Sequence, residues 1–596
     1  MPESATIPGA LQALATAAPD TPLVLEKRYG KWTPRTRQDI LRGVEELAHA
    51  VRDLGIATGD TGLVMLASHA SWIITDLALQ TAGVRVTAVD AGADLDTIAS
   101  VVRDSGARIA FVQDQDGADR VLSVIEEHGR GTLEHLVYVD PAGVGEYTND
   151  LLRAYGDLRE RGRELADGGL AALLGERRPD DVAVLSYSYG VTGEPRGALL
   201  THRALVAGAQ ATAAALQFGP ADRVMAVRPL SDPVERGATL YPALVSGALL
   251  VLPENIATIG QAAWETAPTS VHMTLRHMKT VAAQIRVRMQ STRGIKGLMT
   301  KLWYRRFRSA LAHDRVAPPR GIFKALVGYP VLEKLGLNQA RQVVVSGDRV
   351  PREAVLFFRA LGLRLTPAYA LSSIGGLVTL DTESEGRGVG RPLTGIEARI
   401  ADDGEILLRG EAVTSGPHRE PPPLVDEDGW LHTGDIGSLD SEGRLDLSHR
   451  RGEELALADG SRVSAALLES QLRASPYIKD AVALGDNGEV RLVVELMEPT
   501  VERWASTRGI QFTTFRSLSQ MPEVADLVGR AVENAIGQQA GVEVSDTMLL
   551  DAAVDTVPGA LTPSGKVRRA VMTDLGDAMS RAREARPLPQ GGSPAR

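Results

Sequence analysis

Short apolar runs alternate with helix-length amphipathic segments through the first half of the chain, and this alternation constrains the fold more than any other feature. Thr33-Pro34 offers an N-cap and a first-turn proline. Ile40, Val44, Leu47, Val51 and Leu54 then recur at helical spacing until Gly55. Leu63–Leu66 reads as a strand and Trp72–Leu79 as a helix closing before Gly83. Val84–Val89, Ala107–Val112 and Leu136–Val139 read as further strands. Strands separated by such helices imply βαβ units, a mainly parallel sheet, and ligands near the carboxyl ends of strands. No internal repeat of solenoid length interrupts the pattern.

Composition narrows the class. The chain has 596 residues, 44% hydrophobic and 23% charged, with formal charge −10 and no cysteine. These fractions exclude a disordered chain, a collagen-like repeat and a disulfide scaffold. Without cysteine there is no thiolate nucleophile, acyl-cysteine intermediate or cysteine-ligated metal. A cytoplasmic location fits that usage. The acidic balance argues against general nucleic-acid binding. Met1–Asp20 lacks a cationic start and a long apolar run, so no secretory signal is read there. No stretch has the length of a spanning helix, which predicts a soluble protein.

Two breaks divide the chain. Pro421-Pro422-Pro423 lies in a polar loop before a glycine-rich stretch that ends near Arg451-Gly452, after which a smaller α+β pattern restarts. The expected organisation is a large α/β domain over 1–450 and a lid over 451–580. A disordered tail rich in Arg, Pro, Gly and Ser is expected over 581–596. Between Arg276 and Lys324 lie thirteen Lys or Arg and one acid, Asp314. One reading is a solvated helical face. The other is a peripheral contact with anionic lipid, helped by Leu298, Leu302, Trp303, Tyr304 and Phe307.

The strongest chemical signal is the segment Leu185–Gly197, LSYSYGVTGEPRG. The apolar run Val182–Leu185 feeds a loop carrying Ser188, Gly190, Thr192, Gly193, Arg196 and Gly197. Glycines let backbone N–H groups close on an anion, hydroxyls donate, and arginine adds charge. The spacing is not that of a Walker loop. The segment resembles the phosphate-binding motif of the adenylate-forming acyl-CoA synthetase superfamily, Y-T-S-G-T-T-G-x-P-K-G. Further motifs follow in that family's order. They are Ser346-Gly-Asp-Arg-Val-Pro351, with Gly347 and Asp348 on the adenine side, and Tyr369-Ala-Leu-Ser-Ser373 in place of Y-G-L-T-E. Gly404–Gly410, Gly429-Trp-Leu-His-Thr-Gly-Asp-Ile-Gly437, Gly443-Arg-Leu and His449-Arg450-Arg451 come next. Gly460, Glu469 and Leu561-Thr-Pro-Ser-Gly-Lys-Val-Arg-Arg569 complete the series. The basic insertion, Ser475-Pro-Tyr-Ile and Val557–Pro563 are similar to the long-chain fatty acyl-CoA synthetase branch.

The resemblance implies a large multi-subdomain α/β domain, a small mobile α+β domain and an ATP site between them. It implies that a fatty acid and ATP give an acyl-adenylate and pyrophosphate, after which coenzyme A displaces AMP. By the same resemblance Ser188, Gly190, Thr192, Gly193 and Arg196 hold the β- and γ-phosphates, Tyr369 stacks on adenine and Ser372 meets the α-phosphate. Asp435 accepts the ribose hydroxyls and Arg450 contacts ribose or phosphate. Lys566 bridges carboxylate and α-phosphate, while Gly452 marks the hinge. Several positions depart from the family pattern. The glutamate that holds Mg²⁺ is Ser373 here, and the phosphate loop has Tyr189, Val191 and Arg196 where small, hydroxyl and lysine residues are usual. Pro229-Leu-Ser-Asp232 places an acid where the family often has histidine, and a nearby anion opposes an incoming carboxylate. Two readings therefore stand: an active ligase, or a weakened relative that binds ligands or serves in assembly. A homo-oligomer is compatible with either.

Overall fold

The computed structural model describes residues 6–584 apart from 145–146, 167–168, 190–194, 292–293, 313–322, 348, 384–385, 415, 419–424, 487, 537–541, 558 and 562–566. The chain forms two compact units, one of residues 1–275 and 292–447, the other of 276–291 and 448–596. The last passage between units falls at 447/448. The short excursion of 276–291 is not foreseen by the sequence reading.

In the first unit the expected alternation becomes an eight-stranded sheet. Its spatial order is Gly416–Pro417, Pro195–Thr201, Val182–Tyr189, Arg85–Ala88, Thr61–Met65, Ile109–Val112, His135–Tyr138 and Leu152–Ala154. From Val182–Tyr189 to Leu152–Ala154 the pairings are parallel. The βαβ crossovers supply that geometry, whereas Pro195–Thr201 returns antiparallel as a hairpin. A second sheet of nine strands runs from Arg391–Pro392 through Gly376–Leu380, Leu365–Leu371, Gln342–Ser346, Ser270–Thr274, Arg223–Ala226, Leu249–Leu252 and Pro22–Arg28 to Lys31–Thr36. Strands Ile396–Ile400, Glu405–Gly410, Leu431–Leu439 and Leu445–Arg450 form a four-stranded sheet.

One core joins residues of both large sheets, such as Val24, Val64, Phe111 and Leu250, with the helices between them. Helix Ala70–Ala82 is buried at every residue but Ser71. Enclosure on all sides explains why its sequence is apolar rather than amphipathic. Helix Arg37–Asp53 starts later than expected. Its N-cap is Thr36, whose hydroxyl accepts the Asp39 N–H (3.1 Å) while the Asp39 carboxylate accepts the Thr36 N–H (3.0 Å). Thr33-Pro34 instead lies in Lys31–Thr36, the outermost strand of its sheet, where a residue without an N–H is tolerated.

The second unit holds a three-stranded sheet of Ile478–Asp486, Glu489–Leu496 and Val544–Leu549, the first pair antiparallel and the second parallel. Residues of helix Leu275–Ser291 belong to it through buried charge. The Arg276 guanidinium meets Glu495 Oε2 at 2.6 Å and Asp480 Oδ2 at 3.3 Å. Lys279 Nζ donates to the carbonyls of Ile478 (2.7 Å) and Lys479 (3.1 Å). The first cations of the basic run are thus structural, which corrects the reading of 276–324 as one surface. Helix Arg569–Glu584 extends past the expected start of the tail at 581. Residues 585–596 lie outside the described residues.

Candidate active site

Strand Val182–Tyr189 pairs with Pro195–Thr201 so that Ser188 stands opposite Arg196 and Tyr189 opposite Pro195. Ser188 and Tyr189 are therefore strand residues at the mouth of the hairpin, not loop residues, and the Arg196 side chain is exposed. Gly190, Val191, Thr192 and Gly193 lie outside the described residues, as do Asp348 and Lys566. Just inside the hairpin, the Ser186 hydroxyl donates to the Ser372 carbonyl at 2.6 Å, tying this motif to one 186 residues away.

Ser372 and Ser373 open the turn between antiparallel strands Leu365–Leu371 and Gly376–Leu380. That turn is pressed against the helical segment Arg236–Leu240. A Cβ on Gly237 would sit 2.0 Å from the Gly375 carbonyl oxygen, so only glycine allows the approach. In the same strand as Ser372's approach, buried Tyr369 donates its phenol to Asp435 Oδ2 at 2.5 Å. Asp435 is half-buried on strand Leu431–Leu439, and its N–H donates to the Thr433 hydroxyl at 3.1 Å. Gly347 ends strand Gln342–Ser346 at φ +98°, a conformation that favours glycine where the chain turns from the sheet. The structure thus brings together Tyr369 with Asp435, and Ser188, Ser186 and Ser372 through the hairpin. Arg450 ends strand Leu445–Arg450 within the second unit's part of the chain.

Asp232 is not the bare anion the sequence suggested. It is 2% exposed and forms an ion pair with Arg228, itself 5% exposed. Its Oδ1 also accepts the Val234 N–H at 2.9 Å, capping the short helix Pro233–Glu235. Burial lowers the Arg228 pKa to about 10.

Sequence reasoning missed the chain of groups beside it. His272 Nδ1 lies 2.5 Å from Glu235 Oε2, and His272 Nε2 lies 2.8 Å from Ser346 Oγ. Glu235 Oε1 accepts the Val227 N–H at 3.2 Å. All three side chains are at most 2% exposed, which removes Ser346 as a nucleophile and leaves it a strut under the Gly347 turn. Only Ser346 belonged to a motif, and nothing in the spacing pairs it with Glu235 or His272.

Ser373 offers a neutral hydroxyl, and no cluster of three His, Asp or Glu side chains suited to a metal occurs among the described residues. These residues do not fit a dedicated magnesium cage.

Comparison with known proteins places the chain in a family. A family model described as AMP-binding enzyme matches residues 11–418. Long-chain-fatty-acid–CoA ligase FadD15 of Mycobacterium bovis is 27% identical over 571 residues, 91% of each chain. Long chain acyl-CoA synthetase 6, peroxisomal, of Arabidopsis thaliana is 26% identical over 425 residues, 66% of this chain and 59% of its own. Among solved structures, the adenylation domain of a carboxylate reductase from Mycobacterium chelonae has a TM-score of 0.74 at 16% identity, covering 98% of this chain and 91% of that one. ATP-bound MatB from Rhodopseudomonas palustris has a TM-score of 0.68 at 16% identity, covering 97% and 100%. The fold is that of adenylate-forming enzymes.

Proposed function

The chain belongs to the AMP-binding enzyme family, and from that premise we propose that it is an acid–thiol ligase acting on long-chain fatty acids. ATP and the acid carboxylate give an acyl-adenylate and pyrophosphate, and the coenzyme A thiol then displaces AMP. The observation that carries the reading is the Tyr369–Asp435 contact at 2.5 Å, which joins two nucleotide motifs 66 residues apart. Similarity over 91% of the chain to a long-chain-fatty-acid–CoA ligase supports the substrate class.

In this reading Tyr369 stacks on adenine and Asp435 accepts the ribose hydroxyls, because a carboxylate is acceptor-only with two oxygens. Ser188, Gly190, Thr192, Gly193 and Arg196 receive the β- and γ-phosphates, and Ser372 the α-phosphate. Gly347 and Asp348 flank adenine, and Arg450 contacts ribose or phosphate. Lys566 holds the carboxylate against the α-phosphate, where two anions must meet. Coenzyme A is the thiol donor, and Mg²⁺ arrives on the nucleotide phosphates rather than in a protein cage. The absence of cysteine fits a cytoplasmic location.

Neutral Ser373 favours a second reading, ligand binding with weakened turnover. Acid-dependent pyrophosphate release from ATP across a panel of fatty acids decides between them. The ligase reading expects release to fall roughly 10²–10³-fold in Lys566→Ala, the usual cost of one oriented transition-state donor. Release that ignores the acid, or is unchanged in Lys566→Ala, overturns it.

A further inference from the structure

Cations and leucines share the outward face of helix Gly294–Ala312 in the first unit. Its inward face is fixed to the protein. Trp303 and Phe307 are buried, their rings stacked at 5.7 Å, and the Trp303 indole N–H donates to the Ala360 carbonyl at 3.0 Å. These two aromatics, read from sequence as surface groups, are the mounting of the helix. On the opposite side Leu298, Leu302, Arg305 and Ser309 follow one another at helical spacing and all are exposed, Leu298 at 68% and Leu302 at 47%. Lys301 and Arg308 flank them, also exposed, and Tyr304 is 39% exposed. None of Lys301, Arg305 and Arg308 has an acidic partner among the described residues. The neighbouring segment from Lys324 adds exposed Lys324, Leu326 and Tyr329.

We propose that this face docks the protein on an anionic lipid surface. The protein is net acidic at −10, so any attraction to anions must be local. Three cations without an acidic partner among the described residues supply it, each adding roughly fivefold to binding near an anionic membrane. The leucines select lipid over an acidic protein or nucleic acid. A charge-only partner leaves Leu298 and Leu302 in water, whereas an interfacial helix sinks such side chains to the acyl boundary while its cations stay at the headgroups. The rigid mounting on Trp303 and Phe307 presents the face without ordering a loop on binding. The proposal stands independently of the ligase reading.

The test is co-sedimentation of the full-length protein with phosphatidylcholine vesicles, with and without phosphatidylglycerol, at low and high salt. Neither ATP, acid nor coenzyme A is present, so failure here leaves the ligase reading untouched. Binding is expected only with phosphatidylglycerol and is expected to weaken with salt. The triple variant Lys301→Glu/Arg305→Glu/Arg308→Glu should lose about 100-fold or more, and Leu298→Ser about tenfold. Both changes are on the surface, and unchanged thermal unfolding confirms the variants are folded. Absent binding, equal binding to phosphatidylcholine alone, or indifference to the triple variant overturns the proposal. Loss in the triple variant with none in Leu298→Ser also overturns it, because contact is then charge alone, as with an acidic protein.

Discussion

Two aspartates of the first unit have the same side chain and opposite environments. Asp435 is half-buried and accepts a hydrogen bond from the Tyr369 phenol. Asp232 is 2% exposed, faces the Arg228 guanidinium and caps a helix. A half-buried carboxylate is an acceptor that a ligand can still reach, so such a group suits ligand recognition. A buried carboxylate with its own cation is a strut, because separating the pair leaves an uncompensated charge in a low dielectric. An acid in a site motif is therefore interpreted by its burial and its tertiary contacts, which the motif does not contain.

The largest effect tests the strut. Asp232→Ala should lower unfolding free energy by about 3 kcal/mol, measured by urea titration, because Arg228 is left buried without it. Replacing both as Arg228→Leu/Asp232→Leu should recover most of that loss, since an apolar pair carries no desolvation cost. A single-variant loss below about 1 kcal/mol, the range of an exposed pair, would break the comparison.

Asp435→Asn is the converse. Stability should change little, while the ATP KM rises roughly 10–100-fold as a charged acceptor for ribose hydroxyls is lost. Steady-state pyrophosphate release at varied ATP reads this directly. A large stability loss with unchanged KM would make Asp435 a second strut.

The same distinction explains what the sequence made legible. Strand and helix order in the first half follows from apolar periodicity, which is local, and the eight-stranded sheet realises it. The helix start slipped from Thr33 to Thr36 because Thr33-Pro34 also suits an edge strand, and the capping box with Asp39 settles the competition. Motif residues such as Tyr369 and Asp435 were readable because each sits in its own short pattern. The buried contacts among Glu235, His272 and Ser346 were not, since they join strands and a helix through tertiary packing alone. The basic run misled for a related reason. Charge density is visible in sequence, but the acids that capture Arg276, Asp480 and Glu495, lie more than 200 residues away.

The smallest effect asks whether the turn at 372–375 accepts a ligand-type carboxylate like Asp435. Ser373 is half-buried in that turn beside Ser372, and no described acid forms a metal cluster there. Ser373→Glu adds a hard, charged oxygen at a half-buried position, so it should act as the half-buried Asp435 does rather than as the sealed Asp232. The Mg²⁺ concentration for half-maximal pyrophosphate release should fall severalfold, with stability nearly unchanged because the position is not sealed from water. Unchanged Mg²⁺ dependence would mean that the nucleotide phosphates bring the metal unaided and the turn takes no part. A glutamate variant slower than the wild type at saturating Mg²⁺ would mean that the added charge opposes the phosphates. In that case neutral Ser373 is the residue this site is built around, and its departure from the family pattern is an adaptation rather than a loss.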